Sequence, residues 1–233
     1  MPEGKKVEAM FSRIFGGYDF LNHFLSCGTD VYWRWLLARR VVRLPHRRVL
    51  DLATGTGDLA VALYRRKRFE GIVFGVDFCR PMLRVAQSKH LPVNIQADAL
   101  KLPFADGVFD VVTIAFGLRN LESLERGLRE MLRVVRPGGR VLILEFSQPW
   151  LPLRPFYFFY LQMVLPTVAG LLSGQREAYE YLGQTIRDFP DQDRLRRKMR
   201  EAGFVGCAFE NLTGGIVCIH EGIKKPLDPS EKQ

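Results

Sequence analysis

The sequence predicts an α/β fold: a parallel β-sheet with helices packed on both faces. Three observations carry this. Short apolar runs alternate with helix-like segments between residues 48 and 146, the pattern of consecutive βαβ units. The runs are mostly apolar, as strands buried on both faces require. A glycine-rich turn, Gly55-Thr56-Gly57, joins the first run to the helix after it.

Taken in order, residues 1–46 read as a basic helical cap. Val7, Met10, Phe11, Ile14 and Phe15 recur at helical spacing, and 31–42 form a second helical stretch containing Trp33, Trp35, Leu36 and Leu37. Residues 47–148 form the ligand-binding core. Its expected strands are 49–53, 71–76 (ending at Asp77), 93–97, 109–116 and 140–146, and its helices 59–67, 81–87 and 124–135. Pro137-Gly138-Gly139 stops the last of these helices. Beyond Ser147 the alternation ends. Residues 149–190 are an insertion rich in aromatics, Leu and Pro, and 191–225 supply a basic helix and two last strands, 205–209 and 216–220. Asp191 is placed to cap that helix and Gly203 to end it. Residues 226–233 are a polar tail.

Composition sets limits. With 233 residues, 47% hydrophobic and 25% charged, the chain is an ordinary globular protein and neither collagen-like, low-complexity nor wholly disordered. The length suits one domain with an embellishment. Four Cys (27, 79, 207, 218) form no C-x-x-C pair and no apolar leader opens the chain, so reduced thiols and a cytoplasmic location are expected. The four His lack ligand spacing, so no metal is expected. Lys and Arg exceed Asp and Glu by 34 − 25 = 9. Such a charge suits nucleic acid, an anionic membrane face, or neither.

The turn after the first strand carries the chemistry. Gly55-x-Gly57-x-x-Ala60 fits a dinucleotide fingerprint, with Asp77 downstream for a ribose hydroxyl; a purely structural turn is the alternative. Charge separates the candidate ligands. A pyrophosphate wants backbone N–H groups without carboxylates nearby, yet Asp51 and Asp58 flank this loop. Two carboxylates suit a ligand with an ammonium and a sulfonium, and S-adenosylmethionine has both. Asp77 would then hold the ribose, while Asp98 and the backbone N–H of Ala99 meet the adenine edge.

Asp51 to Asp58, Val76-Asp77, Ala97-Asp98-Ala99, Leu102-Pro103-Phe104 and Phe109-Asp110 together resemble a class I S-adenosylmethionine-dependent methyltransferase. The resemblance implies a Rossmann-like, seven-stranded, mostly parallel sheet, with an N-terminal helical cap and an insertion after strand 5. It implies that Asp51, Thr54, Gly55, Thr56, Gly57, Asp77, Asp98, Ala99 and Ala115 bind S-adenosyl-L-methionine, with no metal. The D/N-P-P-Y/F and Pro-Cys motifs of DNA methyltransferases are absent.

Further motifs narrow the resemblance. Phe116-Gly117-Leu118-Arg119-Asn120, Tyr18-Asp19-x-x-Asn22-x-x-x-Ser26, Tyr179-x-Tyr181-Leu182-x-x-Thr185-Ile186-x-x-Phe189-Pro190, Leu144-Glu145-Phe146-Ser147 and Leu212-Thr213-Gly214-Gly215-Ile216-Val217 resemble the UbiE/MenG/Coq5 family of quinol C-methyltransferases over roughly residues 7–225. Thr54, Ala115, Gly183 and Asp30 depart from the usual family residues, so Ala115 could meet a cofactor only through its backbone. The resemblance implies methyl transfer to a ring carbon of demethylmenaquinol, giving menaquinol. Alternatives are a bifunctional enzyme that also methylates 2-methoxy-6-polyprenyl-1,4-benzoquinol and, more remotely, a nucleic-acid methyltransferase. The expected partners are a prenylated quinol and, by peripheral contact, an anionic cytoplasmic membrane, with no nucleic acid; the oligomeric state is left open, a homodimer included.

Methylating a ring carbon requires a nucleophilic carbon, which a deprotonated ring hydroxyl provides. A phenol has a reference pKa of about 10, so the site must favour the phenolate. Arg119 is the candidate for stabilising that charge, or else it is a structural partner of Asp19 or another carboxylate. Asn120 orients a quinol oxygen or caps the next helix. Tyr18 closes on the site or anchors the core. His23, four residues from Asp19, is a base or a surface residue. Tyr179 and Tyr181 are walls of the quinol pocket or packing residues. The basic run 194–200 is a solvated helix face or a lipid contact. The apolar run 156–172 lies between strands of one sheet and contains Pro166 and Gly170. It reads as a lid with an interfacial patch, or as buried core, and not as a membrane span.

Overall fold

The computed structural model describes residues 23–89, 91–174 and 176–228. The expected helix around residues 7–15, with Tyr18, Asp19 and Asn22, lies outside them.

The chain runs α1 (Thr29–Val41), β1 (Arg48–Leu52), α2 (Asp58–Tyr64), β2 (Ile72–Asp77), α3 (Arg80–Ser88), β3 (Val93–Gln96) and β4 (Phe109–Ala115). A 3₁₀ turn (Leu118–Asn120) leads to α4 (Leu124–Val134) and β5 (Val135–Phe146). The insertion follows as α5 (Arg154–Phe159), a π turn (Tyr160–Val164), α6 (Leu165–Ser173) and α7 (Arg176–Asp188). Then come α8 (Gln192–Glu201), β6 (Phe204–Leu212) and β7 (Val217–Lys224).

The seven strands lie in the order β3-β2-β1-β4-β5-β7-β6. β1 to β5 pair in parallel, while β7 is antiparallel to both β5 and β6. β1 pairs with β2 on one side and β4 on the other, Leu52 opposing both Val76 and Ile114. The chain therefore reverses direction across the sheet between β1 and β4, and the crevice beyond their carboxyl ends is where such a sheet binds ligands.

Consecutive strand residues feed opposite cores, which is why these strands are mostly apolar. Leu50, Leu52, Val112 and Ile114 pack under Leu128 and Met131 of α4 and Leu195 of α8. Val49, Val73 and Val111 pack under Leu37 and Val41 of α1 and Leu59 and Leu63 of α2. The insertion has a smaller core of Leu161, Leu165, Ala169, Tyr179 and Ile186.

Element ends differ from expectation for identifiable reasons. β1 and β4 each stop one residue early because Ala53 and Phe116 take left-handed φ values of 51° and 60°. α2 stops at Tyr64, ahead of four consecutive cations, and the Tyr64 hydroxyl accepts from the Val73 N–H at 3.0 Å. β5 begins at Val135, before the Pro-Gly-Gly turn, through a bulge between the Phe109–Val135 and Val111–Arg140 pairs. A Cβ at Gly139 would stand 2.7 Å from the Asp110 carbonyl oxygen, so only glycine fits that bulge. β6 and β7 run past their polar residues Glu210, Asn211 and Glu221. Polar side chains are tolerated there because β6 is an edge strand with one wet face. At α8, the Asp191 carboxylate accepts from the Arg194 N–H at 2.8 Å, and Gly203 follows at φ 108°.

Candidate active site

Two chambers open at the carboxyl edge of β1 and β4. The first is built on the β1–α2 turn. Asp51, at the end of β1, is buried, and its carboxylate accepts from the Thr54 and Thr113 hydroxyls at 2.7 and 3.0 Å. Burial pushes its pKa up to about 6, against the pull of those two bonds. Gly55 has φ 56° and nothing within 4 Å of where a Cβ would project. Its N–H donates to Asp77 Oδ2 at 2.8 Å, and the Cys79 N–H donates to Asp77 Oδ1 at 2.8 Å. Burial raises the Asp77 pKa, and these backbone bonds partly oppose it. Each carboxylate oxygen keeps a lone pair for a further donor. Asp98, more exposed, accepts from the Leu100 N–H at 2.8 Å.

Asp51, Thr54, Gly55, Thr56, Asp77, Asp98, Ala99 and Ala115 all line this chamber. Gly57, predicted with them, shapes the turn instead: its φ is 83°, and a Cβ there would approach Leu91 to 3.0 Å. Asp58 also lines the chamber, but Lys89 Nζ lies 2.6 Å from its carboxylate. Asp51 is therefore the carboxylate left to face a ligand's ammonium. With that group, an Asp77 able to accept two hydroxyls, and an open glycine cradle, the residues fit S-adenosylmethionine.

The second chamber shares Arg34, Phe116 and Asn120 with the first and is larger, about 460 Å³ against about 180 Å³. Its walls are mostly apolar, with Trp33 from α1, Phe146 from β5 and Leu161 and Leu165 from the insertion. Arg119, Tyr179 and Tyr181 line it as well, so two of the three residues expected to act on the acceptor and both expected pocket walls come together here. Tyr18 lies outside the described residues.

The polar contacts refine each reading. Arg119 Nη1 donates to Glu145 Oε1 and to the Phe116 carbonyl, both at 2.6 Å, and the Arg119 N–H donates to Glu145 Oε2 at 3.2 Å. The guanidinium also sits 5.1 Å from the Phe146 ring centroid. Arg119 is thus both a wall residue and one half of a buried ion pair, with Glu145 as its partner. Asn120 Oδ1 accepts from the Tyr181 hydroxyl at 3.2 Å. It does not cap α4: the Ser123 hydroxyl does, accepting from the Arg126 N–H.

Near the entrance, the buried Asp30 carboxylate accepts from Ser26 Oγ at 2.8 Å and pairs with Arg34 and with His23 Nδ1, the latter at 2.7 Å. Burial raises its pKa, but Arg34, Ser26 and His23 outweigh that and hold it below the usual carboxylate range. His23 is half exposed, with Nδ1 hydrogen-bonded to Asp30 and Nε2 3.9 Å from Asp58, so it is not an isolated surface histidine.

Sequence reasoning gave Glu145 no role. A lone carboxylate in the apolar run 141–146 was the available signal, since a charge buried in a central strand needs a partner. Arg34, which lines both chambers, gave no such signal. Among the described residues no group of three or more His, Cys, Asp or Glu could hold a metal ion.

This sheet order and this pair of chambers define a class I S-adenosylmethionine-dependent methyltransferase. Solved structures agree on the fold. A Thermotoga maritima S-adenosylmethionine-dependent methyltransferase, described as a possible histamine N-methyltransferase, superposes with TM-score 0.67 at 20% identity, over 93% of this chain and 99% of that one. A Methanococcus maripaludis S-adenosyl-L-methionine-dependent methyltransferase, described as putative, gives 0.61 at 15% identity, over 92% and 94%.

Sequence comparison is more specific, and the chain belongs to the ubiE/COQ5 methyltransferase family, whose profile matches residues 2–224. It is 46% identical over 221 residues to demethylmenaquinone methyltransferase of Thermus thermophilus, covering 91% of this chain and 99% of that protein. It is 43% identical over 222 residues to the protein of that name from Streptomyces avermitilis, covering 94% of each. It is 41% identical over 226 residues to the ubiquinone/menaquinone biosynthesis C-methyltransferase UbiE of Chromobacterium violaceum, covering 94% and 92%.

Proposed function

We propose that this methyltransferase acts on a ring carbon of demethylmenaquinol, giving menaquinol. The observation that carries the reading is the large apolar chamber, which shares a wall including Asn120 with the cofactor chamber and is lined by Arg119. A fused aromatic ring with a hydrocarbon tail suits such walls, and its oxygens need the few polar groups present.

S-Adenosylmethionine, when bound, supplies an electrophilic methyl group and keeps the electron pair of the broken S–C bond. Asp77 would hold its ribose hydroxyls, Asp98 and the Ala99 N–H would meet its adenine, and Asp51 would face its ammonium. On the acceptor side, loss of a hydroxyl proton to water puts charge on the ring oxygen and its ortho carbon. Arg119 lies beside that oxygen and Asn120 orients it. The ortho carbon's electron pair forms the new C–C bond, and the proton on that carbon then leaves to water, restoring the aromatic ring.

The substrate must be reduced, because an oxidised quinone has no hydroxyl to ionise. The protein incubated anaerobically with S-adenosylmethionine and a panel of reduced quinones should yield methylated menaquinol by mass analysis, and none when the same quinones are oxidised. Turnover of a polyprenyl-benzoquinol in that panel would establish the bifunctional activity named by some relatives. Equal rates with oxidised quinones would defeat the phenolate chemistry.

The insertion is the proposed point of peripheral membrane contact. Phe156, Phe159 and Met163 are 75%, 61% and 60% exposed, while Leu161 and Leu165 of the same segment are buried. Among the described residues no helix is long and apolar enough to cross a membrane. The segment instead presents apolar side chains on its outer as well as its inner face. An interfacial helix does the same when its outer residues enter the headgroup zone.

A further inference from the structure

We propose that Tyr157 is a second hydrogen-bond donor to the reacting oxygen of the acceptor, acting beside Arg119; this rests on the methyl-transfer reading above. Tyr157 stands on α5 and lines the acceptor chamber. Its hydroxyl is sealed from solvent and, among the described residues, has no hydrogen-bond partner; the same holds for Arg119 Nε. Buried donors are almost always satisfied, and leaving one unpaired is costly. Two such donors among the side chains of one chamber mark a place where the acceptor atom comes with the ligand.

Two neighbouring phenols are already used. The Tyr160 hydroxyl donates to the Leu25 carbonyl at 2.7 Å, and Tyr181 donates to Asn120. The Tyr157 hydroxyl lies in the field of both Arg119 and Glu145, and its side chain lines the same chamber as Arg119. Burial holds its phenol above the usual tyrosine range. It therefore stays protonated at neutral pH, and it donates a hydrogen bond without giving up its proton.

The need for such a donor follows from Glu145. The carboxylate offsets the Arg119 charge, so an anionic ring oxygen meets a nearly neutral pair. Its stabilisation then depends on aimed N–H and O–H groups and not on net charge. Apo geometry tightens when substrate enters, and the Tyr157 hydroxyl, closed off in this structure, must turn onto the oxygen as it does.

Tyr157→Phe keeps the ring and removes only the donor. The expected result is an unchanged melting temperature, unchanged S-adenosylmethionine affinity and KM within about threefold, with kcat lowered about 10- to 100-fold. The acidic limb of the pH–kcat profile should move up by about one pH unit for each tenfold loss. The pKa of bound 1-naphthol, read from its absorbance, should rise relative to the wild type. If the wild type methylates no reduced quinone, the functional reading falls. If it does, and Tyr157→Phe matches it in kcat, pH profile and bound-naphthol pKa, the Tyr157 proposal falls alone.

Discussion

Arg119 Nη1 donates to Glu145 Oε1 at 2.6 Å, between side chains that are 5% and 1% exposed. The pair closes the carboxyl ends of β4 and β5 behind the acceptor chamber. Removing one member of a buried pair leaves the other uncompensated, which typically costs about 3–5 kcal/mol. Arg119→Ala should therefore lower both stability and kcat, the latter about 10²–10³-fold. Arg119→Met with Glu145→Gln should regain most of the stability without regaining turnover. Arg119→Lys should rescue in part, because a point charge cannot serve both Glu145 and an acceptor oxygen as the guanidinium fork does. Thermal melts alongside single-turnover rates separate the two effects. A folded Arg119 variant with normal turnover would leave the residue a structural role only.

Asp77 joins the Gly55 N–H and the Cys79 N–H at the mouth of the cofactor chamber. Asp77→Ala should weaken S-adenosylmethionine by about 1–3 kcal/mol, through loss of a charged acceptor. Gly55→Val should be worse for two reasons. Its φ of 56° strains a β-branched residue, and the open space beyond it is what a ligand needs. Calorimetry should show both losses; wild-type affinity in both variants would remove the cofactor assignment.

Asp51 gives a pH dependence of definite sign. Its folded pKa is raised from 3.8 to about 6 by burial, so the fold favours the protonated acid. Below pH 3.8 the group is neutral whether folded or unfolded and costs nothing. The cost enters between pH 3.8 and 6 and is complete above, about 3 kcal/mol at about 1.4 kcal/mol per pKa unit. Asp51→Asn should raise the melting temperature at pH 7.5, with the gain shrinking toward pH 4. The same variant should bind S-adenosylmethionine more weakly, and wild-type affinity should fall as pH drops through 6. A gain in melting temperature that is the same at pH 4 and pH 7.5 would show that Asp51 is not its source.

The residues show what was legible in the sequence. The sheet was, because the core strands send Leu50-type and Val49-type neighbours to opposite cores and so must be mostly apolar. The cofactor chamber was, because Asp51, Gly55, Asp77 and Asp98 sit at strand ends that the topology brings to one edge. The acceptor chamber was legible only in part. Arg119, Tyr179 and Tyr181 carry motifs, but Arg34 and Tyr157 reach the chamber from two separate elements and Glu145 pairs with Arg119 from a third, and no local spacing announces that. The Tyr157 hydroxyl is distinguished by what it does not touch, a property that exists only in three dimensions.

The insertion makes the last prediction. The sequence reading gave the run 156–172 as a whole, without separating its faces; in the structure Phe158 is half buried, with the Arg154 and Arg187 guanidinium groups each 5.8 Å from its ring centroid. The outward aromatics are Phe156 and Phe159, and the two arginines set positive charge beside them. Phe156 also lines the acceptor chamber, so the apolar face and the chamber meet at one residue and a prenyl tail could pass between them. Fully burying a Phe side chain contributes about 1.5–3 kcal/mol. Phe156→Ser with Phe159→Ser should therefore reduce co-sedimentation with anionic vesicles by about tenfold or more. High salt should release part of the wild type by screening the arginines. Turnover should fall more on long-tailed than on short-tailed quinols, because a short-tailed acceptor reaches the chamber from water. Equal sedimentation of variant and wild type, or equal losses at every tail length, would show that the patch does not dock.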